Sequence, residues 1–293
     1  MASLDSLPSS GAASGMKARP GVLARLIRNK SALIGGGIVL IFVLMAVLAP
    51  LLPLADPFKS NFLAIRKPPS ELYWFGTDEL GRDQVSRLFY GAQASLLAGI
   101  VSVLIAVAIG LPFGLLAGWY GGWTDIVISR VTEALLACPF LILAIAFAAV
   151  LGPSLTNAMI AIGLSAVPIF IRLVRGQVMS VKAEDFVEGA RAVGARDLRL
   201  MFRHVLPNTL SPIVVQSTLF MAQAIILEAA LSFLGLGQQP PSPSWGQMLN
   251  VAKNFMEQAP WMSVAPGVCI FLAVLGFNLL GDGLRDALDP KEG

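Results

Sequence analysis

The chain has 293 residues, of which 56% are hydrophobic and only 13% are charged, and its mean hydropathy is +0.74. Soluble domains average roughly 45–50% apolar and about 25% charged residues, so this composition excludes a cytosolic enzyme, a disordered chain and a secreted disulfide scaffold. The net charge of +3 gives no indication of a nucleic-acid partner. Cys138 and Cys269 lie in apolar runs and form no metal-binding pattern. The composition therefore indicates a membrane protein.

The chain begins with a polar tail. Residues 1–16 are rich in Ser, Ala and Gly and lack the apolar run of a signal peptide. Arg25 and Arg28 then precede the first long apolar stretch. Residues 1–31 are therefore predicted to form a disordered cytoplasmic tail followed by an interfacial helix.

Six apolar stretches follow in chain order. A bilayer core of about 30 Å requires roughly 20 apolar residues in a helix, and the turn signal Gly152-Pro153-Ser154 divides an uncharged run that is too long for one helix. The predicted spans are Ala32–Leu52, Tyr90–Trp119, Ile126–Leu151, Thr156–Leu173, Pro207–Phe233 and Trp261–Leu280. The predicted fold class is therefore an all-α membrane protein with six transmembrane helices.

The basic residues predict the orientation of these spans. With the N-terminus inside, 15 of the 21 Lys and Arg residues fall on the inner side, as cytoplasmic segments require. Both termini are therefore predicted to be cytoplasmic. The chain divides into the tail (1–31), a first helix with an outer loop (32–89), and a five-helix core (90–293) that contains a basic inner loop at 183–207.

The inner loop has the pattern of a short docking helix. Phe186, Ala190 and Val193 recur at helical spacing and predict one apolar face. Acidic residues, including Glu188, occupy the first turns, where they favour the positive end of the helix dipole. Gly194 then supplies a residue able to adopt positive φ at the helix end. From this pattern alone, docking into a partner protein and resting on lipid headgroups remain equally open.

The spacing of this loop resembles the EAA loop of ABC-importer permeases. The match runs from Glu188-Gly189-Ala190 through Gly194 to Leu206-Pro207, with Gly189 and His204 as departures from the preferred Ala and Ile. The resemblance implies a type I ABC-importer permease fold in which this loop is a coupling helix that inserts into a cleft of the ATPase subunit. The residues implied to contact the ATPase are Asp185, Glu188, Ala190, Arg191, Gly194 and Ala195.

Two outer segments resemble one branch of that family. The run from Phe75-Gly76-Thr77-Asp78 through Gly81-Arg82-Asp83 to Ser86-Arg87, and the run Ser232–Gly237 followed by Pro240–Gly246, are similar to the dipeptide/oligopeptide/nickel permeases of the C type. This resemblance implies import of peptides across the bacterial inner membrane. It also implies a second homologous permease subunit, two ATPase subunits and an extracytoplasmic binding protein. The alternative cargoes are nickel chelates, glutathione or another small solute.

The chain itself is not expected to be an enzyme. It contains no GxxxxGK[ST] phosphate-binding loop, so ATP and Mg²⁺ are expected on partner subunits and no cofactor or metal on this chain. A membrane-embedded enzyme would need a catalytic dyad or a metal site, and the sole histidine, His204, has no obvious partner.

Five polar residues within the predicted spans are candidate sites. An intramembrane acid such as Glu228 is by default a functional candidate, and it either lines the translocation pathway or pairs with a sister subunit. Gln216 and Gln223 share one face of the fifth span, where they line the pathway or bond between helices. Arg130 and Glu133, spaced i, i+3, are predicted to be a structural pair in preference to transport residues.

Overall fold

The computed structural model describes residues 22–288, so the predicted tail at 1–21 lies outside the described residues. A short helix α1 (Val22–Arg28) precedes α2 (Lys30–Leu48), the first long apolar helix. Asn29 lies between them: its side chain accepts a hydrogen bond from the Ala32 N–H and caps α2. Its Nδ2 also donates to the Asp286 carboxylate across 2.9 Å, which ties this corner to the last helix.

The remaining helices include the other predicted spans in chain order, together with short helices between them. They are α3 (Gln84–Tyr120), α4 (Gly122–Leu136), α5 (Phe140–Leu151), α6 (Leu155–Lys182), α7 (Asp185–Ala192), α8 (Asp197–Arg199), α9 (Leu206–Phe233), α10 (Trp245–Ala252) and α11 (Trp261–Leu288). A π-helical segment, Leu200–Val205, joins α8 to α9 without a break. Of the described helices, α2, α3, α6, α9 (with its leading segment) and α11 are each long and apolar enough to cross a bilayer.

The third predicted span is not one helix. The structure divides Ile126–Leu151 into α4 and α5, which are bent by 92°; together they are long and apolar enough to make a sixth crossing as one broken span. The break falls at Pro139, which caps α5. Proline lacks the N–H that would continue the helix and disfavours helical geometry in the residue before it. The prediction of six spans agrees with five single helices and this one bent pair, but the expectation that the third span is one continuous helix is wrong.

Three helices extend beyond their predicted ends. The side chain of Asp83 accepts a hydrogen bond from the Ser86 N–H, so α3 begins at Gln84, inside the segment assigned to the outer loop. At the other side of the bundle, α6 continues beyond Leu173 to Lys182 and carries Arg175 on a helix, and α11 continues beyond Leu280 to Leu288. The predicted spans end where charges begin, but helices end at caps and turns.

Close helix packing depends on small residues. Along α3, Gly110, Gly114 and Gly118 face α6, and a Cβ on Gly114 would lie 2.6 Å from the Val174 Cβ. Small residues let two backbones approach where no water drives helices together. A second contact of this kind joins α2 to α11, where a Cβ on Gly35 would lie 2.5 Å from the Leu280 backbone nitrogen.

The buried side chains form two main clusters. The larger lies where α3, α6, α9 and α10 meet α2, α5 and α11, and in it Phe170 and Phe220 pack edge to face with ring centroids 5.9 Å apart. The smaller cluster, called the α7 core below, lies where α3 and α6 end and α7 begins. Its buried members are Leu115, Trp119, Val174, Val178, Val187, Leu200, Met201, Val205 and Ile213.

Candidate functional site

The candidate coupling loop forms a helix that ends as predicted. Gly194 has a φ of +86°, and its N–H donates to the Arg191 carbonyl over 3.0 Å. The N–H of Ala195 donates to the Ala190 carbonyl over 3.1 Å. This pattern satisfies the last carbonyls of α7. The loop therefore presents a terminated helix rather than a frayed one.

The apolar residues of α7 divide between two directions. Val187 is buried in the α7 core, and Ala190 is half-buried against it. Phe186 and Val193 are instead 47% and 86% exposed. The expectation of one apolar face formed by Phe186, Ala190 and Val193 is therefore wrong, because Val187 and Ala190 seat the helix on the bundle while the other two point away.

The residues assigned to ATPase contact mostly lie on the free side of this helix. Ala190 and Ala195 are half-buried. The exposed members of the set are Asp185, Glu188, Arg191 and Gly194. α7 therefore offers an exposed surface that combines acidic, basic and apolar groups.

Trp119 lies behind the coupling loop and was not singled out by the sequence. Its indole is buried at the end of α3. The Lys182 Nζ donates to the Trp119 carbonyl over 2.6 Å and lies 5.4 Å from the ring centroid, and the Arg191 guanidinium lies 5.6 Å from the same ring. Cations at this distance are attracted by the ring quadrupole. The contact links α3, α6 and α7.

A buried ionic cluster lies at the opposite end of α3. The Arg82 guanidinium contacts the Asp78 and Glu79 carboxylates, each across 2.6 Å, and Arg87 Nε lies 3.3 Å from Asp78 Oδ2. Asp78, Arg82 and Arg87 are almost completely buried. Burial, reinforced by repulsion from Asp78, raises the pKa of the Glu79 carboxyl above its ordinary value despite the nearby Arg82.

This cluster joins the two outer loops. Residues 53–83 and 235–260, together called the cap below, meet through Arg87, which donates to the Pro57 carbonyl and to Gln247 Oε1, 3.0 and 3.1 Å away. Trp261 Nε1 donates to the Thr77 carbonyl over 3.2 Å, and Arg66 donates to Gln258 over 2.8 Å. The run Gly76–Asp83 (the GTDxxGRD motif) and Arg87 therefore hold the cap together.

Glu228 is enclosed within this chain. Its carboxylate accepts hydrogen bonds from the hydroxyls of Ser95 and Ser232, at 3.1 and 2.7 Å, and the residue has no exposed surface. Within residues 22–288 no basic side chain forms a salt bridge with it. Ser95 also accepts the Trp245 N–H over 3.3 Å, so the carboxylate lies where α3, α9 and α10 meet.

The other polar candidates lie on exposed faces. Gln223 is exposed and Gln216 is half-exposed on α9. The Arg130 and Glu133 side chains contact each other over 3.0 Å and are 80% and 62% exposed. Among residues 22–288, no group of three or more His, Cys, Asp or Glu side chains is arranged to hold a metal ion.

Comparisons with known proteins identify the family. Residues 110–292 match the model of the binding-protein-dependent transport system inner membrane component, and residues 21–69 match the N-terminal transmembrane domain of oligopeptide transport permease C. The chain belongs to this permease family. It is a subunit of an ABC importer and a multi-pass protein of the inner membrane.

Several curated relatives cover most of this permease. The dipeptide transport system permease protein DppC of Alkalihalophilus pseudofirmus is 49% identical over 91% of this chain and 88% of its own. The glutathione transport system permease protein GsiD of Salmonella typhimurium is 50% identical over the same shares. The di/tripeptide transport system permease protein DppC of Pseudomonas aeruginosa is 47% identical over 90% of this chain and 89% of its own.

A solved structure shows the same fold. A chain of the MetNI methionine ABC transporter in an inward-facing conformation matches with a TM-score of 0.56, over 69% of this permease and 96% of that chain, at 21% identity. The type I importer fold implied by the sequence is therefore confirmed.

One further ion pair of the permease could not be found from the sequence. Arg175 Nε and Nη2 donate to Asp125, at 2.5 and 2.7 Å, and so tie α4 to α6. The two residues lie in different helices, 50 positions apart. A helix-spacing rule finds i, i+3 pairs such as Arg130 and Glu133, but it does not find a pair that forms only when two helices pack.

Proposed function

We propose that this permease subunit imports dipeptides or other short peptides. Two of the relatives described above are named for dipeptide and di/tripeptide transport, and the chain carries the outer-loop motifs of that branch. The second candidate cargo is glutathione, because an equally similar relative is named for glutathione transport.

The proposed assembly contains a second homologous permease subunit, two ATPase subunits and an extracytoplasmic binding protein. ATP and Mg²⁺ bind to the ATPase subunits. Both termini and α7 face the cytoplasm, as the excess of basic residues on that side supports. The cap then faces the binding protein, and its buried ionic cluster makes it a preassembled surface.

The proposal that α7 couples the permease to the ATPase rests on the exposed surface of this helix. Phe186 and Val193 stand away from the bundle although they are large and apolar, and such residues in a terminated surface helix fit a groove on a partner. Glu188 and Arg191 flank them and supply polar contacts at the rim. The α7 core fixes the helix from behind, so force on α7 acts on the bundle.

The translocation pathway is proposed to run along α9. Gln223 is exposed on a membrane-spanning helix, and an amide facing hydrocarbon without a partner costs several kcal/mol. Gln216 and Gln223 therefore face either the aqueous pathway or polar groups of the second permease subunit.

Glu228 is enclosed, and its proposed role is to hold the outer end of α9 against α3 and α10.

Charge reversal on α7 tests the coupling role. We expect Glu188→Arg and Gly194→Glu to reduce co-purification of the ATPase subunits with the permease, and to reduce transport in parallel. Glu257→Arg, a charge reversal in the cap, is the matched control and should leave ATPase co-purification unchanged. Normal assembly and transport by both α7 variants would contradict the proposal.

The cargo is tested on the complete complex in lipid vesicles. We expect the binding protein loaded with a dipeptide to stimulate ATP hydrolysis more than the same protein loaded with glutathione or a nickel chelate. Stronger stimulation by glutathione would replace the peptide proposal with the second candidate.

A further inference from the structure

Helix α3 runs unbroken from the cap to the coupling helix. It has 37 residues, which corresponds to about 55 Å at 1.5 Å per residue. Pro112 lies inside it without ending it. At Gly114 and Gly118 the helix packs closely on Val174 and Val178 of α6. These contacts support α3 along its length.

The first turns of α3 are fixed to both loops of the cap. Ser86 Oγ donates to the Ala55 carbonyl, and Arg87 donates to Pro57 and Gln247. Asp83 caps the helix. A displacement of the cap therefore moves the beginning of α3, because neither loop can shift without breaking buried charged or hydrogen-bonded contacts.

The last turn of α3 contacts the coupling helix through Trp119. Trp119 is buried in the α7 core beside Val187, and its ring accepts the Arg191 guanidinium of α7 while its carbonyl accepts the Lys182 ammonium of α6. Immediately after it, Gly121 and Gly122 have φ of +65° and +52° and begin α4 in a new direction. Trp119 is thus the last large anchor of α3.

We infer that Trp119 is the positioning residue through which α3 transmits the state of the cap to α7. The inference rests on the proposed function, because it requires a binding protein at the cap and an ATPase at α7. Packed interfaces such as those at the two ends of α3 switch between arrangements and do not deform continuously, and each ligand biases them by its differential contacts. Arrival of a loaded binding protein then alters the position of α7, and hence ATP hydrolysis, through Trp119.

The experiment uses the complete complex in lipid vesicles with Trp119→Leu, Trp119→Phe and Lys182→Met. Coupling between sites is commonly worth about 5–150-fold. We expect Trp119→Leu to reduce stimulation of ATP hydrolysis by the loaded binding protein at least about 5-fold, with assembly and unstimulated hydrolysis unchanged. Trp119→Phe should retain part of the stimulation, because it keeps an aromatic face for Arg191. The number of ATP molecules hydrolysed per peptide transported should rise most in Trp119→Leu and less in Trp119→Phe.

Trp123→Leu is the matched control, since Trp123 lies near the same end of the bundle and is 82% exposed. Full stimulation in an assembled Trp119→Leu complex would overturn the inference, and so would an equal loss in Trp123→Leu. If Trp119→Leu fails to assemble, Lys182→Met decides: reduced stimulation supports the inference and full stimulation overturns it. A wild-type complex that no loaded binding protein stimulates would contradict the proposed function itself.

Discussion

Each buried charge of the cap contacts an opposite charge, and the backbone around these charges leaves little free space. Gly81 has a φ of +75°, and a Cβ there would fall onto the Asn61 carbonyl oxygen. Its place in the GTDxxGRD motif is therefore explained by two requirements that no other residue meets: a left-handed backbone and close approach of a second segment.

We expect Gly81→Ala to destabilise the permease more than Gly194→Ala. Both positions have positive φ, which costs a residue with a Cβ about 1–2 kcal/mol, but a Cβ on Gly194 meets no atom within 4 Å. The measurement is thermal unfolding in detergent. Equal losses would show that the contact with Asn61 relaxes without cost.

The protonation of Glu79 gives the cap a pH dependence. Burial raises the pKa of this carboxyl above 4.5 in the folded state. The protonated carboxyl therefore stabilises the folded state, and this contribution is complete below about pH 4.5 and is lost as the pH rises through the folded pKa. We expect Glu79→Gln to flatten the fall in unfolding temperature over that window. Glu71→Gln, at an exposed carboxylate in the same loop, should leave that fall unchanged. If Glu79→Gln also leaves the fall in unfolding temperature with pH unchanged, Glu79 is not its cause.

For single residues, the sequence could identify unusual side chains but not the side chains that they contact. Glu228 stood out because a carboxylate is expensive inside a membrane. Its hydrogen-bond donor Ser95 lies 133 positions away, and Trp119 had no distinguishing neighbour in the chain. Partners that only packing brings together leave no local pattern.

At the scale of single helices, α7 departs from its family pattern at Gly189, where Ala is preferred. A Cβ there meets no atom within 4 Å. We expect Gly189→Ala to stabilise α7 by about 0.5–1 kcal/mol, because glycine loses more backbone entropy in a helix. Slower hydrogen exchange of amides 186–192 would show it. Gly194→Ala, at a φ of +86°, should have the opposite effect; the same effect from both would contradict the argument.

The helices show which sequence rules hold. Apolar runs located every crossing, because the bilayer imposes both length and polarity. The same rule failed between α4 and α5, since hydropathy does not register the missing N–H of Pro139. The rule also ended α6 too early, because a charged residue such as Arg175, which pairs with Asp125, does not end a helix.

At the scale of the whole molecule, the first long helix joins the core through glycine contacts with α11. We expect Gly35→Val to separate the two helices, because a side chain there meets the Leu280 backbone. The measurement is disulfide formation between cysteines placed at Asn29 and Asp286, which are in contact, in a variant lacking Cys138 and Cys269. Gly37→Val, with no atom within 4 Å of its Cβ, is the control. Undiminished cross-linking in Gly35→Val would contradict the prediction.

The closure of the cap also constrains how the protein is made. Thr77 contacts Trp261, 184 positions later, and at about 5–20 residues per second the ribosome needs roughly 10–40 s to supply that partner. Until residues 241 and 247 have been synthesised, Arg87 lacks the Pro241 carbonyl and the Gln247 side chain to which it donates. The cap therefore completes only when Trp261 is present, and a nascent chain released early exposes the Arg87 guanidinium and the Thr77 carbonyl without hydrogen-bond partners that the finished protein supplies.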